Sequence, residues 1–271
     1  GSGPAEYHAP AYDSLVQAAA LARDTERVEL VMLVSPITFR HPAVYAKTAI
    51  TIDELSNGRF VLGLGTGWHD DEHHYHGIEY PDRSGRFDRL AEAFAYVHRY
   101  FDRPEDGFEG EHYRFSGFDS HPRARRTGRR LLIGGSGAVK TPTLAGRHAD
   151  EFNLYHHEAD GITERLETMR RAAEEAGRDP GQILISTCLP VLGGDTDAEL
   201  MEAATAMAAR RGADPAALLE RFQSAPGIHV GPWRQHREWL ERIEDAGIER
   251  TYLQLAAGDG RHLERALAEL T

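Results

Sequence analysis

The chain has 271 residues, of which 41% are hydrophobic, and a formal net charge of −12. This length suits one large α/β domain, and we expect a single domain over residues 1–271 with insertions near 107–118 and 193–231. The negative charge argues against nucleic acid or an anionic membrane as a partner, because phosphate binding requires a basic face. A single cysteine, Cys188, is typical of a cytoplasmic protein without disulfides.

The first predicted element is a helix over Asp13–Ala22, with Asp13 as its cap. From residue 28 onward, short apolar runs alternate with helical periodicity. Each run is typical of a parallel strand that is buried on both faces. The six predicted strands are Val28–Ser35, Arg59–Gly65, Arg130–Gly134, Glu151–Tyr155, Ile183–Leu192 and Arg250–Ala256.

The helices between these strands have recognisable ends. Pro42 occupies a first helical position, and Gly58 is the predicted left-handed cap of the same helix. The next helix has one apolar stripe, formed by Phe87, Leu90, Phe94, Val97 and Phe101. Alternating strands and helices predict right-handed crossovers and a parallel sheet, either as a (β/α)8 barrel or as a doubly wound open sheet.

Two stretches do not follow this alternation. Residues Gly107–Gly117 predict a short hairpin, and the polar insertion Gly193–Gly231 predicts a lid or an extra helical pair. Six strands cannot close an eight-stranded barrel. We therefore expect the given chain to lack the first strand–helix–strand of a barrel, with Pro4–Pro10 as the end of a loop at its mouth.

The ends of three predicted strands are Met32–Pro36, Gly63–Trp68 and Ile133–Gly137, of which the last two are rich in glycine. In a parallel barrel, the residues after the C-terminal ends of the strands meet at one mouth. Gly134–Gly137 precedes a helix and could cradle a phosphate through backbone amides, although an ordinary tight turn also explains it. The lysine of an ATP-binding Walker loop is absent from this segment.

The histidine-rich segment His69–His76 invites comparison with metal sites, and helical spacing places His69 and His73 on one side. The pattern His-Glu-x-x-His is absent, so we predict no metal and a polar loop with one or two cofactor contacts. Hydrolase motifs are also absent, and Cys188 lies in an apolar strand as an inert thiol would. These features favour a site where a bound cofactor supplies the chemistry.

The longest motif runs from Phe39-Arg40-His41-Pro42-Ala43 through Asp53 to Gly63-Leu64-Gly65-Thr66-Gly67-Trp68. Further matching segments are Glu72-His73, Arg86–Leu90, Ile133–Gly137, Arg147–Asn153, Arg178-Asp179-Pro180 and Ala246–Ile248. This series, in this order, resembles the bacterial luciferase-like family and is most similar to its branch of coenzyme F420 (deazaflavin) oxidoreductases.

The resemblance implies a (β/α)8 TIM-type barrel, usually a homodimer, with the tricyclic cofactor lying across the mouth. It implies a non-proline cis peptide at Met32–Leu33. The implied cofactor-binding residues are Met32, Leu33, Ser35, Thr66, Gly67, Trp68, Asp71, Gly135, Ser136 and Gly137. The family's usual proton-donor histidine precedes the matched region, so catalytic residues stay unassigned. Glu151 replaces a glycine that is frequent in the family.

Three functions follow from these features. The first is hydride transfer between F420 and an unidentified small organic substrate. The second is an FMN-dependent monooxygenase that uses reduced flavin and oxygen, and the third is a non-catalytic flavin-binding barrel. The longer acidic tail of F420 would require cations near the phosphate, for which Arg40, Lys140 and Arg147 are candidates.

Overall fold

The computed structural model describes residues 12–125, 130–155, 159–225, 228–255 and 260–270. The chain divides into two compact units. The first contains residues 12–153 and 165–184, and the second contains the described residues of 154–164 and 185–271. Whether the whole chain forms one domain stays a prediction.

The first unit alternates strands with helices. Its elements are α1 (Ser14–Asp24), β1 (Leu30–Val31), β2 (Ser35–Pro36), α2 (Pro42–Ser56), β3 (Phe60–Gly65), α3 (Asp70–His76), α4 (Arg83–Asp102), β4 (Phe108–Glu109), β5 (Arg114–Phe115), β6 (Leu131–Gly135), α5 (Lys140–His148) and β7 (Glu151–Leu154). Helix α6 (Ala159–Glu175) belongs to this unit from Arg165 onward, and a 3-10 turn over Ile37–Phe39 follows β2.

The core of the first unit is a parallel sheet centred on β3, which is buried along its whole length. Strands β1 and β2 both pair with β3, and Ser35 lies opposite Leu64. On the other side, β6 pairs with β3 so that Leu64 lies opposite Ile133. Because all these pairings are parallel, β2, β3 and β6 end at the same edge of the sheet, which we call the C-terminal edge.

The predicted strand Val28–Ser35 is interrupted. The Met32 amide still donates to the Val61 carbonyl at 3.0 Å, so pairing with β3 continues through Met32. The chain leaves the ladder only after this residue, and the cis peptide joins Leu33 and Val34. The prediction of a cis bond at Met32–Leu33 is therefore wrong by one residue.

Local hydrogen bonds explain where the first helices begin and end. The Asp13 carboxylate accepts from the amides of Leu15 and Val16, which confirms it as the cap of α1, although α1 continues to Asp24. Pro42 is the first residue of α2, as predicted. This helix ends with Asn57 in the left-handed region (φ +56°), followed by Gly58 (φ +82°), so the sequence analysis missed Asn57 as the cap.

The predicted hairpin is confirmed, since β4 and β5 pair antiparallel. The Glu92 carboxylate of α4 holds its turn by accepting from the backbone amides of Glu111, His112 and Tyr113 at 2.6–3.0 Å. The strands pack on the aromatic rings of α4. Hydrogen bonds from three amides to one carboxylate fix this excursion to the helix.

The second unit also has parallel strands and helices. Its elements after α6 are β8 (Leu184–Gly193), α7 (Asp197–Arg211), α8 (Pro215–Ser224), β9 (His229–Gly231), α9 (Trp233–Asp245), β10 (Arg250–Leu255) and α10 (Gly260–Leu270). Strands β10 and β9 both pair in parallel with β8, in a register that places Ser186 opposite Arg250 and Gly193 opposite Gly231.

The insertion Gly193–Gly231 contains the predicted extra helical pair, α7 and α8. Their apolar faces, which include Phe222 of α8, form a small core with Leu192 of β8. The insertion also contains β9, which the sequence analysis missed because three residues are too few to show a period. The predicted strand end at Ala256 and the loop assigned to Pro4–Pro10 lie outside the described residues. No helix in the described part of the chain is both long enough and apolar enough to span a bilayer.

Candidate cofactor site

A platform of three glycines lies under the Val34 side chain at the C-terminal edge. A Cβ atom added to Gly63, Gly65 or Gly134 would lie only 2.8–3.0 Å from a Val34 methyl group. At Gly63 it would also lie 1.8 Å from the Met32 carbonyl oxygen. Only glycine permits this close approach of β3 and β6 to the segment Leu33–Val34, where the chain leaves the ladder after Met32. Val34 was not among the predicted site residues, although glycines at alternate positions of an apolar strand were a signal for such an approach.

The ends of β2 and β3 bring Ser35, Thr66 and Gly67 together, as the motifs predicted. Pro36 lies opposite Gly65, and a Cβ on Gly67 would lie 3.1 Å from the Pro36 Cβ. Gly67 has a φ of +74°, which favours glycine. The buried Tyr45 hydroxyl donates to the Pro36 carbonyl at 2.7 Å, and burial raises the pKa of this tyrosine.

The segment Gly135–Gly137 forms a narrow turn around Thr141, a residue of α5 that is buried. A Cβ on Gly135 would lie 3.2 Å from the Thr141 Cγ2, and one on Gly137 would lie 2.9 Å from its Oγ1. The cap residue of α5 is Val139, whose side chain has no acceptor for the first amides of the helix. These amides and the glycine backbone suit an anion such as a phosphate.

One cationic side chain contacts this turn, and two others lie over the Phe87 ring, one of them from the first residue of α5. Arg165 of α6 donates to the Ser136 carbonyl at 3.3 Å. The Lys140 ammonium lies 5.3 Å from the centre of the Phe87 ring, and the Arg83 guanidinium lies 6.0 Å from the same centre. We call Arg83, Lys140 and Arg165 the cationic rim. Of these three cations only Lys140 was expected from the sequence, because no motif indicates that α4 and α6 approach this part of the chain.

The other two predicted cations have different roles. Arg147 lies in the last turn of α5, at the end remote from Gly137, and its nearest carboxylate is that of Glu175 at 3.9 Å. Arg40 forms an ion pair with Asp13. Among the described residues neither has a contact with the glycine turn, so their role near the phosphate stays a prediction.

The Arg178-Asp179-Pro180 motif has a structural role beside the site. Arg178 donates to the carbonyls of Gly146 at 2.8 Å and Ala149 at 2.7 Å, and these carbonyls end α5. Burial lowers the pKa of the Arg178 guanidinium. The motif therefore fixes the helix whose first turn follows the glycine turn.

Four other predicted residues differ in exposure. Met32 is buried and Leu33 is half-buried, whereas Asp71 is exposed on the first turn of α3. Trp68 is 79% exposed, and its ring centre lies 4.8 Å from that of His69. Their contact with a cofactor stays a prediction.

The histidine-rich segment is organised around His73, which is buried. Its Nδ1 lies 2.7 Å from the His69 carbonyl oxygen and its Nε2 lies 2.6 Å from the Thr38 Oγ1. Both ring nitrogens are therefore used within the protein. In the described part of the chain, His69, Asp70 and Asp71 have ligand atoms within 4.8 Å of one another, but these residues are consecutive and largely exposed.

Residues 123–130 contain five arginines, a basic segment that could in principle bind an anion. The described ones instead pair with carboxylates: Arg123 with Glu105, Arg125 with Glu54, and Arg130 with Asp102. Arg126 and Arg129 lie outside the described residues. The described arginines of this segment are therefore members of surface ion pairs.

Cys188 lies half-buried in β8. Burial raises the pKa of its thiol, which lowers the thiolate fraction at neutral pH. This environment agrees with an inert thiol.

The sequence matches the family model of the luciferase-like monooxygenases over residues 3–257. It is 36% identical over 174 residues to an F420-dependent glucose-6-phosphate dehydrogenase of Nakamurella multipartita, which covers 63% of this chain and 50% of the relative. It is 27% identical over 203 residues to the pyrimidine monooxygenase RutA of Allorhizobium ampelinum, which covers 72% of this chain and 53% of the relative. The chain thus spans about half the length of these curated relatives.

Solved structures agree on the fold. An F420-dependent secondary alcohol dehydrogenase, solved with an F420–acetone adduct, matches with a TM-score of 0.78 and 17% identity, over 97% of this chain and 86% of that one. The monooxygenase RslO1 of Streptomyces bottropensis matches with a TM-score of 0.75 and 23% identity, over 94% of this chain and 80% of that one. The predicted luciferase-like, TIM-barrel-type α/β fold is confirmed over the open-sheet alternative.

Proposed function

Because the chain belongs to the luciferase-like monooxygenase family, we propose that it is an oxidoreductase that binds coenzyme F420 and transfers hydride to or from a small organic substrate. The observation that carries the choice of F420 is the cationic rim, which extends from the Gly135–Gly137 turn to the Phe87 ring. F420 has an acidic tail beyond its phosphate, whereas FMN ends in the phosphate. A set of cations that extends past the turn suits a ligand whose negative charge extends past the phosphate. A homodimer is part of the proposal.

The residues at the C-terminal edge suit the parts of such a cofactor. The backbone amides of Gly135–Gly137 and the start of α5 would hold the phosphate, and the cationic rim would hold the acidic tail. Val34, on its glycine platform, would support the tricyclic ring beside Ser35 and Gly67. When bound, the cofactor supplies the hydride chemistry, while these residues fix its position.

An FMN-dependent monooxygenase is the second candidate. It is supported by the similarity to pyrimidine monooxygenase RutA at 27% identity, which covers more of this chain than the dehydrogenase match does. The glycine turn suits the phosphate of either cofactor. The cationic rim is the feature that distinguishes them.

Titration of the purified protein with F420 and with FMN separates the candidates. The exposed Trp68 is a suitable reporter, so we expect intrinsic tryptophan fluorescence to be quenched at a lower concentration of F420. The affinity for F420 should also fall more steeply with salt, because the acidic tail adds ionic contacts. Tighter binding of FMN would favour the monooxygenase, and binding of neither would refute the proposal.

Variants of the cationic rim test the role of the tail. Lys140→Met and Arg165→Met should each weaken F420 binding several-fold more than FMN binding. Arg147→Met is the matched control, since this arginine lies on α5 but away from the turn. Equal losses for both cofactors would contradict the assignment of these cations to the tail.

The phosphate cradle needs a double variant, because a side chain at residue 135 would strike Thr141. Thr141→Ala removes the two atoms that would be struck, and it is the control for Gly135→Ala/Thr141→Ala. We expect the double variant to bind either cofactor more weakly than Thr141→Ala does, with the same melting temperature. Equal affinities would mean that Gly135–Gly137 is a structural turn only.

A further inference from the structure

Thr38 lies beside the candidate site, although neither the motifs nor the comparisons assign it a role. It belongs to the 3-10 turn that follows β2, and it is half-buried. Its Oγ1 lies 3.4 Å from the point where a Cβ on Gly67 would lie. The hydroxyl is therefore next to the segment Thr66–Gly67 at the C-terminal edge.

The hydrogen bonds of His73 fix the direction of the Thr38 hydroxyl. A carbonyl oxygen can only accept, so the His73 Nδ1, 2.7 Å from the His69 carbonyl oxygen, carries a proton. In the neutral imidazole the Nε2 is then an acceptor, and Thr38 donates its hydroxyl proton to it across 2.6 Å. The remaining lone pairs of the Thr38 oxygen can accept a hydrogen bond from a ligand.

Aromatic contacts hold the His73 ring in this orientation. Its centre lies 4.8 Å from that of Phe39 and 4.5 Å from that of Tyr80. The Arg86 guanidinium of α4 lies 4.0 Å from the centre of the Tyr80 ring. These contacts connect the buried histidine to α4 through Tyr80.

We propose that Thr38 is a further cofactor-binding residue, which accepts a hydrogen bond from an N–H group of the tricyclic ring, and that His73 is its positioning residue. The inference rests on the proposed function, but not on the choice between cofactors, because flavin and deazaflavin both carry an imide N–H. His73 acts only through Thr38. Its own nitrogens are both occupied within the protein.

The test compares hydroxyl-bearing and hydroxyl-free variants at residue 38. Thr38→Val keeps the shape and removes the oxygen, so the dissociation constants of F420 and FMN should rise about 3- to 10-fold, the effect of one hydrogen bond. The visible absorption band of the bound cofactor should also shift. Thr38→Ser should retain the wild-type affinity and band. Thr38→Ala is a second hydroxyl-free variant and should behave like Thr38→Val.

The control is Thr51→Val. Thr51 is exposed on α2, where its hydroxyl donates to the Lys47 carbonyl at 2.9 Å, and its loss should change neither affinity nor spectrum. His73→Phe keeps an aromatic ring and removes both hydrogen bonds. If His73 acts through Thr38, the double variant Thr38→Val/His73→Phe should bind no more weakly than the weaker of the two single variants.

Two results would overturn the assignment, and they differ in meaning. If the wild type binds a cofactor and both hydroxyl-free variants bind it equally well with the same spectrum, the role of Thr38 is refuted and the proposed function stands. If the wild type binds neither F420 nor FMN, the proposed function fails and the assignment fails with it. Fully additive losses for Thr38→Val and His73→Phe would refute the positioning role of His73.

Discussion

His148 should make the stability of this protein depend on pH below neutrality. It is the last residue of α5, and its ring stacks on Phe94 at 6.4 Å. Burial, together with the smaller effect of positive charge from His98, Arg178 and Arg147, lowers the pKa of His148 to about 4 from the ordinary value of 6.5. The folded state therefore requires this histidine to be neutral.

The size of the effect follows from the two pKa values. Above pH 6.5 His148 is neutral in both the folded and the unfolded chain, so the full free energy of unfolding is present. As the pH falls from this value towards about 4, only the unfolded chain takes up the proton, and the folded state loses stability. The loss is about 2–3 kcal/mol at about pH 4.5. That is a large part of the roughly 5–15 kcal/mol that a folded protein has in total.

Urea unfolding of the wild type and of His148→Gln at about pH 7 and about pH 4.5 measures this loss. The difference in the free energy of unfolding between the two proteins should fall by about 2–3 kcal/mol at the lower pH, because the other ionisable groups cancel. His112→Gln, at an exposed histidine, should differ from the wild type equally at both values. A pH-independent difference for His148→Gln would refute the reasoning.

Three other variants test packing around the site. Gly63→Ala would place a Cβ 1.8 Å from the Met32 carbonyl oxygen, so we expect urea unfolding to show a free energy of unfolding lower by about 3 kcal/mol or more. A variant as stable as the wild type would contradict the requirement for glycine at this position. Glu92→Ala removes the acceptor of three amides, so the free energy of unfolding should fall by about 1–3 kcal/mol and hydrogen exchange at the Tyr113 amide should become faster. An unchanged exchange rate would contradict the role of Glu92 in holding the hairpin turn. Arg178→Met leaves the last carbonyls of α5 without their donor and should lower the thermal midpoint, with a cost of about 1–3 kcal/mol; an unchanged midpoint would show that the motif is not a cap.

The sequence predicted the structure best where a long apolar pattern lies between residues that end a strand or helix. Strand β3 was predicted to within one residue because an unbroken apolar run lies between Gly58 and Gly67. The glycine turn before α5 was found for a similar reason, since glycine backbone chemistry is local. The core stripe of α4 was also correct, because five apolar residues repeat with the helical period.

The features that were missed depend on contacts between distant segments. Strand β9 exists only through its pairing with β8, and Arg165 reaches Ser136 across 29 residues of sequence. The cis peptide lies one residue later than predicted, after Met32, whose amide still pairs with the Val61 carbonyl of β3. The role of His73 was likewise hidden, because a histidine beside acidic residues looks the same whether it binds a metal or packs against Thr38.

Because glycines lie beneath it, Val34 is a residue at which the surface of the proposed site can be redesigned. Gly63, Gly65 and Gly134 contribute backbone alone beneath it, so the two Val34 methyl groups set the height of the surface above these strands. Trimming this one side chain to alanine would lower that surface while leaving every platform residue in place. Enlarging it to isoleucine would raise the surface into the space above. Changes in the thickness of the ring that the proposed site accepts can therefore be sought at this single residue, with the three glycines kept constant.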